Sequence, residues 1–179
     1  MPFDAARTLR GALAGAAGAG AWWLQQPLDK RVFGYPFDDV ALLGKAVTRG
    51  PAWPAAGLAL HLGNGALFGA AYANVAPLVP VPAPLRGPLA AMAEHAATWP
   101  LTRFTDRLHP ARDVLPPLSG SARALAQATW RHLVFGVVLG EVERRLNAPE
   151  PVAELSYEEV VSSNGHGRLE HAVTAPLDS

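Results

Sequence analysis

The chain has 179 residues, and its 15 basic and 15 acidic side chains give a formal net charge of zero, which offers no support for a nucleic-acid partner. Half of the residues are hydrophobic and only 17% are charged, a balance that excludes a disordered chain. There is no cysteine, so disulfides, thiolate metal sites and cysteine catalysis are excluded.

The first predicted element covers residues 10–28, a stretch that has no charge after Arg10 and is rich in Ala and Gly. Small residues are common where transmembrane helices touch, and the tryptophans Trp22 and Trp23 near its end are typical of a membrane interface. The pattern therefore predicts a membrane-spanning helix. A cleaved signal peptide, with Arg7 and Arg10 as its basic start, is the alternative.

The second predicted element, residues 53–78, lies within 36 consecutive residues that carry no charged side chain, between Arg49 and Arg86. A helix needs about 20 apolar residues to cross a bilayer. Pro54 suits a first helical turn, and further prolines from position 77 onward end the pattern. This stretch predicts the clearest membrane-spanning helix of the chain. The mixed-charge residues 29–52 before it form a predicted loop with room for a short interfacial helix.

Two weaker elements follow, residues 87–102 and residues 124–146. The first contains Glu94 at its centre, and the second contains Arg131. Once one helix spans a bilayer, neighbouring helices can bury polar groups against it. We therefore expect both elements to span the membrane as well.

Together these elements predict an all-α integral membrane bundle of about four transmembrane helices over residues 1–146. Residues 147–179 hold six acidic side chains and one Arg, which predicts a flexible, acidic tail. A soluble, Ala-rich helical bundle is the alternative. Near the predicted span ends, five basic residues lie on the side of the termini and eight on the side of the two long loops, which slightly favours cytoplasmic loops.

Glycines recur at helical spacing in three of the predicted spans, although each costs about 1 kcal/mol relative to Ala in a helix interior. Close approach between helices explains such repeated use. We expect packing within the chain, with a face for a homo-oligomer or a membrane-protein partner as the alternative. The predicted packing residues are Gly11, Gly15 and Gly18 in the first span, Gly65 and Gly69 in the second, and Gly136 and Gly140 in the last.

Two stretches resemble a known family. Residues 61–72 read HLGNGALFGAAY, and residues 132–140 read HLVFGVVLG. They are similar to the second-helix pattern and to the His-Leu-x-aromatic-Gly-x-x-Leu-Gly element of small bacterial inner-membrane proteins of the YagU-like family. The resemblance implies a location in the bacterial inner membrane and four short spans across residues 8–146. It implies no activity.

Six polar side chains fall inside the predicted spans, where each ionisable group costs about 2.5–3.5 kcal/mol and requires a partner. In the structural interpretation, Arg131 pairs with Glu94 or extends to the membrane interface, and the histidines hydrogen-bond across helices. One alternative is a path for protons, ions or a solute through Glu94 and the histidines, and another is a metal or haem site. The residues of this predicted polar cluster are His61, Asn64, Glu94, His95, Arg131 and His132.

No catalytic signature accompanies this cluster. Serine occurs only at positions 119 and 121 and in the tail, so no nucleophile elbow is present. The Gly-x-Gly at position 63 lies in an apolar helix and lacks the strand of a dinucleotide fold. The sequence therefore predicts no enzyme, no catalytic residue and no cofactor. It favours a structural or interaction role through the glycine faces, with the lipid bilayer as the principal partner.

Overall fold

Helices account for most of residues 4–148, which are the residues that the computed structural model describes. No strand occurs among them, so the predicted all-α helical bundle is confirmed for this part of the chain. The predicted acidic tail lies outside the described residues from position 149 onward. The helices are α1 (Ala5–Phe33), α2 (Asp39–Val47), α3 (Trp53–Val75), α4 (Ala83–Thr98), α5 (Thr102–Leu108) and α6 (Ala122–Leu146).

The four predicted spans correspond to α1, α3, α4 and α6, and each observed helix has different bounds for a local reason. Asp4 caps α1 by accepting a hydrogen bond from the backbone of Arg7, and Gly34 ends it in the left-handed conformation at φ 59°. α3 ends at Val75 and α4 ends at Thr98, before the predicted ends at 78 and 102. In each case a short 3-10 turn follows, which contains Pro77 after α3 and Pro100 after α4. None of the helices in the described part of the chain is both long and apolar enough to be a membrane span.

Two short helices connect the long ones. α2 lies in the mixed-charge residues 29–52, where the sequence allows a short helix. The side chain of Asp38 caps α2 by accepting a hydrogen bond from the backbone N–H of Ala41. The sequence did not indicate α5, which follows the 3-10 turn after α4. Both helices lie at the same end of the bundle, between antiparallel long helices.

The long helices pack as α1 against α3 and α6, and α4 against α6. A side chain on Gly15 would overlap the carbonyl oxygen of Gly65, and one on Gly136 would overlap that of Gly87. Gly18 lies against the ring of Phe135. All seven predicted packing glycines therefore contact a neighbouring helix of the same chain, which lets the backbones approach closely.

The core of the bundle is small and rich in alanine, while large apolar side chains lie outside it. The buried apolar set centres on Ala14, Ala91, Trp22, Phe135 and Leu139. Exposed large apolar side chains follow the outer faces of all four long helices. They include Leu9, Leu13, Leu24, Leu28 and Val32 on α1, Leu60, Leu67 and Val75 on α3, Leu85 and Leu89 on α4, and Leu125, Trp130, Leu133 and Val137 on α6.

Candidate functional site

A cavity of about 400 Å³ lies within the bundle, lined by α1, α2, α3, α4, α5 and α6. It brings together five of the six side chains of the predicted polar cluster. The sixth, Arg131, does not line it and points to a different site. The five that line it are His61 and Asn64 from α3, Glu94 and His95 from α4, and His132 from α6.

Two of the residues that line the cavity, Glu94 and His132, contact each other. The Glu94 Oε2 atom lies 2.9 Å from His132 Nε2, and the other ring nitrogen, Nδ1, lies 2.7 Å from the Ala128 carbonyl oxygen. A carbonyl oxygen only accepts hydrogen bonds, so Nδ1 carries a proton. The contact with Glu94 then requires a second proton, either on Nε2 or on the carboxyl. The pair therefore holds one proton more than a carboxylate beside a neutral imidazole.

The other two histidines need only one ring proton each. His95 Nε2 lies 3.0 Å from the hydroxyl of Thr129, whose own proton goes to the Leu125 carbonyl, so the histidine donates. His61 Nε2 lies 3.1 Å from the Ala19 carbonyl and also donates. Each of these contacts places a proton on Nε2. His132 differs because both of its ring nitrogens have an oxygen partner, and its contact with Glu94 requires the second proton.

Aromatic rings hold these imidazoles in place. Trp22 lies edge-on to His61 and to His132, with ring centroids 5.5 and 4.6 Å apart. His95 lies 4.3 Å from His132, centroid to centroid, and two charged imidazolium rings at that distance would repel each other. Phe68 and Phe135 close one wall as an edge-to-face pair. The arrangement therefore favours a single positive charge in the histidine cluster.

A second polar site lies beside the cavity and is centred on Arg131, which is completely buried. Its guanidinium donates to both oxygens of Asp29, at 2.6 and 2.7 Å, and at 2.7 Å to Asp39. It also donates to the Phe37 carbonyl at 3.0 Å. The predicted pairing of Arg131 with Glu94 is therefore wrong. Consecutive helical residues point about 100° apart, and it is His132 that faces Glu94.

The Arg131 site is extended by neutral side chains. Gln127 donates at 2.7 Å to one oxygen of Asp29, and Gln25 donates at 2.7 Å to the other. Trp22 donates at 2.7 Å to Asp39, and both of these residues also line the cavity. The sequence places Asp39 in the predicted loop of residues 29–52, whereas it begins α2. The signal that could have found it is the Asp-Asp pair directly before an apolar run, a pattern that predicts a helix start.

The helix ends carry further polar contacts that are structural. At the end that holds the N-terminus of α1, Arg7 donates to Glu143 at 2.9 Å. At the opposite end, Asp106 accepts from the backbone of Leu118 and from the backbone and hydroxyl of Ser119. Burial raises the pKa of the Asp106 carboxyl, but these hydrogen bonds outweigh it and hold that pKa below its usual value.

Within residues 4–148, no group of three or more His, Asp or Glu side chains is arranged to hold a metal ion. The closest approach to a ligand set is the cavity, where Glu94 and His132 contact each other. The metal alternative therefore receives no support from this part of the chain, and the haem alternative stays a prediction.

No family model, curated protein or solved structure matches the chain. The resemblance to the YagU-like family accordingly stays a prediction.

Proposed function

We propose that the chain is a multi-pass membrane protein whose four long helices enclose a binding cavity for a proton and a small solute. The observation that carries this proposal is the inverted distribution of side chains. Charged and amide groups are buried between the helices, and large apolar groups are exposed on the outer faces of the helices. A hydrocarbon solvent favours this arrangement and water disfavours it.

The outer surface supports the proposal first. On α1, exposed apolar side chains extend from Leu9 to Val32, and the exposed Arg10 and Arg31 lie near the two ends of this stretch. The uncharged part from Leu13 to Leu28 covers roughly 22 Å at about 1.5 Å per residue, and long basic side chains at its ends can extend to the interface of a hydrocarbon layer of about 30 Å. Comparable side chains are exposed on α3, α4 and α6. Monomeric proteins in water rarely expose contiguous apolar surface on this scale.

The second support for the membrane proposal is the set of polar side chains buried between the helices. Asp29, Gln127 and Arg131 are buried, as are His61 and His95. Polar residues within membranes face the bundle interior and pair with one another, as these do. They lower the mean hydropathy of each helix, although lipid would contact only the outward faces.

The positions of the remaining charges support it third. Basic residues lie at the two ends of the bundle, and the end that carries α2 and α5 holds the larger number. By the positive-inside rule that end faces the cytoplasm. We place the protein in the bacterial inner membrane on the resemblance described above. The basic residues of that end are Lys30, Arg31, Lys45, Arg49, Arg103, Arg107, Arg112 and Arg123.

The cavity favours solute or proton binding over a purely structural role. The glycine faces, which a structural or interaction role would use, pack against helices of the same chain. The cavity, in contrast, contains a proton-bearing pair whose Glu94 side chain is 37% exposed. Ionisable side chains that line a cavity within a membrane are typical of proton and solute paths.

Fractionation of cells that express the untagged chain tests the membrane proposal. We expect the protein in the membrane pellet, resistant to a carbonate wash, and its recovery in the supernatant would overturn the proposal. Liposomes that contain a pH-sensitive dye test the second part. We expect proton flux that Glu94→Gln abolishes. Glu141→Gln is the matched control, because Glu141 is an exposed residue of α6 that pairs with Arg144. Equal flux from both variants would contradict the assignment.

A further inference from the structure

We propose that the cavity binds a monovalent organic cation in exchange for the proton that Glu94 and His132 share. This inference rests on the proposed function and names the substrate class of the same site. The juxtaposition that carries it is a partly exposed carboxylate, a histidine that stores one proton behind it, and walls made of aromatic rings.

The charge of the cavity is the first step. Among residues 4–148, no Lys or Arg lines it, and its titratable groups are Asp39, His61, Glu94, His95 and His132. Asp39 lies 2.7 Å from the Arg131 guanidinium, which it shares with Asp29. Glu94 is the carboxylate of the cavity that faces a histidine instead of a fixed cation.

The aromatic walls are the second step. Trp22, Phe68, Trp99 and Phe135 line the same cavity as Glu94. The negative faces of such rings attract cations, and alkylated ammonium groups are bound in proteins by rings of this kind. An anion in the cavity would be repelled by the Glu94 carboxylate. A bare metal ion would require several oxygen or nitrogen ligands, which the described residues do not offer.

The access to the two groups is the third step. The side chain of Glu94 is 37% exposed, whereas that of His132 is 13% exposed. A cation can therefore reach the carboxylate first, while the imidazole behind it gives up the proton. The volume of about 400 Å³ lies in the range of small-molecule sites, about 300–1,000 Å³.

The exchange conserves charge. The free site carries one proton on the pair; the occupied site carries one organic cation beside a carboxylate and a neutral His132, and the proton leaves to solvent. No bond of the ligand is made or broken. Where the pair is protonated, one proton released per cation makes the affinity fall tenfold for each unit by which the pH is lowered.

Isothermal titration calorimetry of the purified full chain in detergent tests the exchange. The probe is the benzyltrimethylammonium ion, and its uncharged carbon isostere, neopentylbenzene, is the control ligand. Titrations in buffers of different ionisation enthalpy give the number of protons released. We expect about one proton per bound cation, and none with the isostere. Binding of the cation without proton release, or no binding at all, would overturn the proposal.

Variants connect that result to the named residues. We expect Glu94→Gln to abolish cation binding and Glu94→Asp to retain it with one proton released, which shows that the site has folded. His132→Gln should retain binding at neutral pH but lose proton release. The matched control is Glu141→Gln, which should behave as the unmodified chain. Cation binding that survives Glu94→Gln would place the ligand elsewhere and contradict the inference.

The two proposals fail separately. A chain found in the membrane pellet that conducts protons but does not bind benzyltrimethylammonium contradicts only the cation inference. A chain recovered in the supernatant contradicts the proposed function, whatever it binds.

Discussion

Arg131 and His132 are neighbours in α6, yet they belong to two polar sites of opposite character. The guanidinium of Arg131 is completely buried and donates to two carboxylates and a carbonyl. The imidazole of His132 borders a cavity and contacts one carboxylate that is partly exposed. The hydrogen bonds of the first guanidinium are taken up by groups of the chain itself. The second site lies beside open volume, and the proposed function depends on that site.

The difference teaches that burial alone does not identify a functional charge in this molecule. A fixed cation such as Arg131 remains protonated at any accessible pH, so its network can only be intact or broken. A histidine can gain or lose its proton near neutrality. We expect the largest loss of folding stability from a change at Arg131 and the smallest from a change at Glu94.

Arg131→Met should destabilise the fold by about 3–5 kcal/mol, because it leaves the buried Asp29 without its cation. Thermal unfolding of the purified protein in detergent, followed by circular dichroism, measures the loss. Arg144→Met is the matched control, since that side chain is 52% exposed and pairs only with exposed Glu141, and we expect a change within about 0.5 kcal/mol. Equal stability of the two variants would show that the Arg131 network is not structural.

Gly65→Ala should lower the free energy of unfolding by about 1–3 kcal/mol, because α1 and α3 cannot move apart at this position without disturbing the packing of the bundle. The added Cβ would lie 2.6 Å from the Cβ of Ala19 and 2.7 Å from the Gly15 carbonyl oxygen. Gly63→Ala, on the same helix, has open space and should gain up to about 1 kcal/mol. The midpoints of chemical unfolding compare the two. A loss of similar size at both positions would indicate a propensity effect rather than packing.

Asp106→Ala should cost about 1 kcal/mol near neutral pH, through the lost hydrogen bonds to Leu118 and Ser119. The pKa of Asp106 is lowered in the folded chain, so its contribution is present above the unfolded pKa, about 3.9, and is lost as the pH falls through the lower folded value. Unfolding free energies at pH 7 and in strong acid measure this. The variant and the unmodified chain should converge in acid, and a constant difference would contradict the assignment.

Glu94→Gln should change stability by less than about 1 kcal/mol, because a partly exposed ion pair contributes little. The same variant should lose proton exchange, so function and stability separate at this position. The measurement is again the unfolding midpoint, beside that of Arg131→Met. A loss as large as that of the arginine variant would show that both polar sites are structural and would remove the contrast.

The sequence was sufficient for the four long helices and for five polar side chains of the cavity. The uncharged stretches and the prolines located α1, α3, α4 and α6 to within about five residues at each end, because these signals act over one or two turns. Polar residues inside apolar stretches identified five of the cavity side chains, because such groups point inward.

The ion pairing could not be predicted in the same way. Arg131 bonds to Asp29 and Asp39, which lie 102 and 92 residues away along the chain. Which of two consecutive side chains faces Glu94 depends on the rotation of α6 about its axis, and periodicity alone does not fix that rotation. The aromatic walls of the cavity likewise come from separate helices, and nothing local indicates that they meet.

The distance along the chain between Asp29 and Arg131 has a consequence for biosynthesis. At about 5–20 residues per second, the ribosome needs roughly 5 to 20 s to make the 102 residues between them. During that time the nascent first helix has been made, but the cation that neutralises its carboxylate has not. The amino-terminal helices therefore reach their final arrangement only after α6 emerges, and a chain that stops before residue 122 should be a substrate for quality-control proteases.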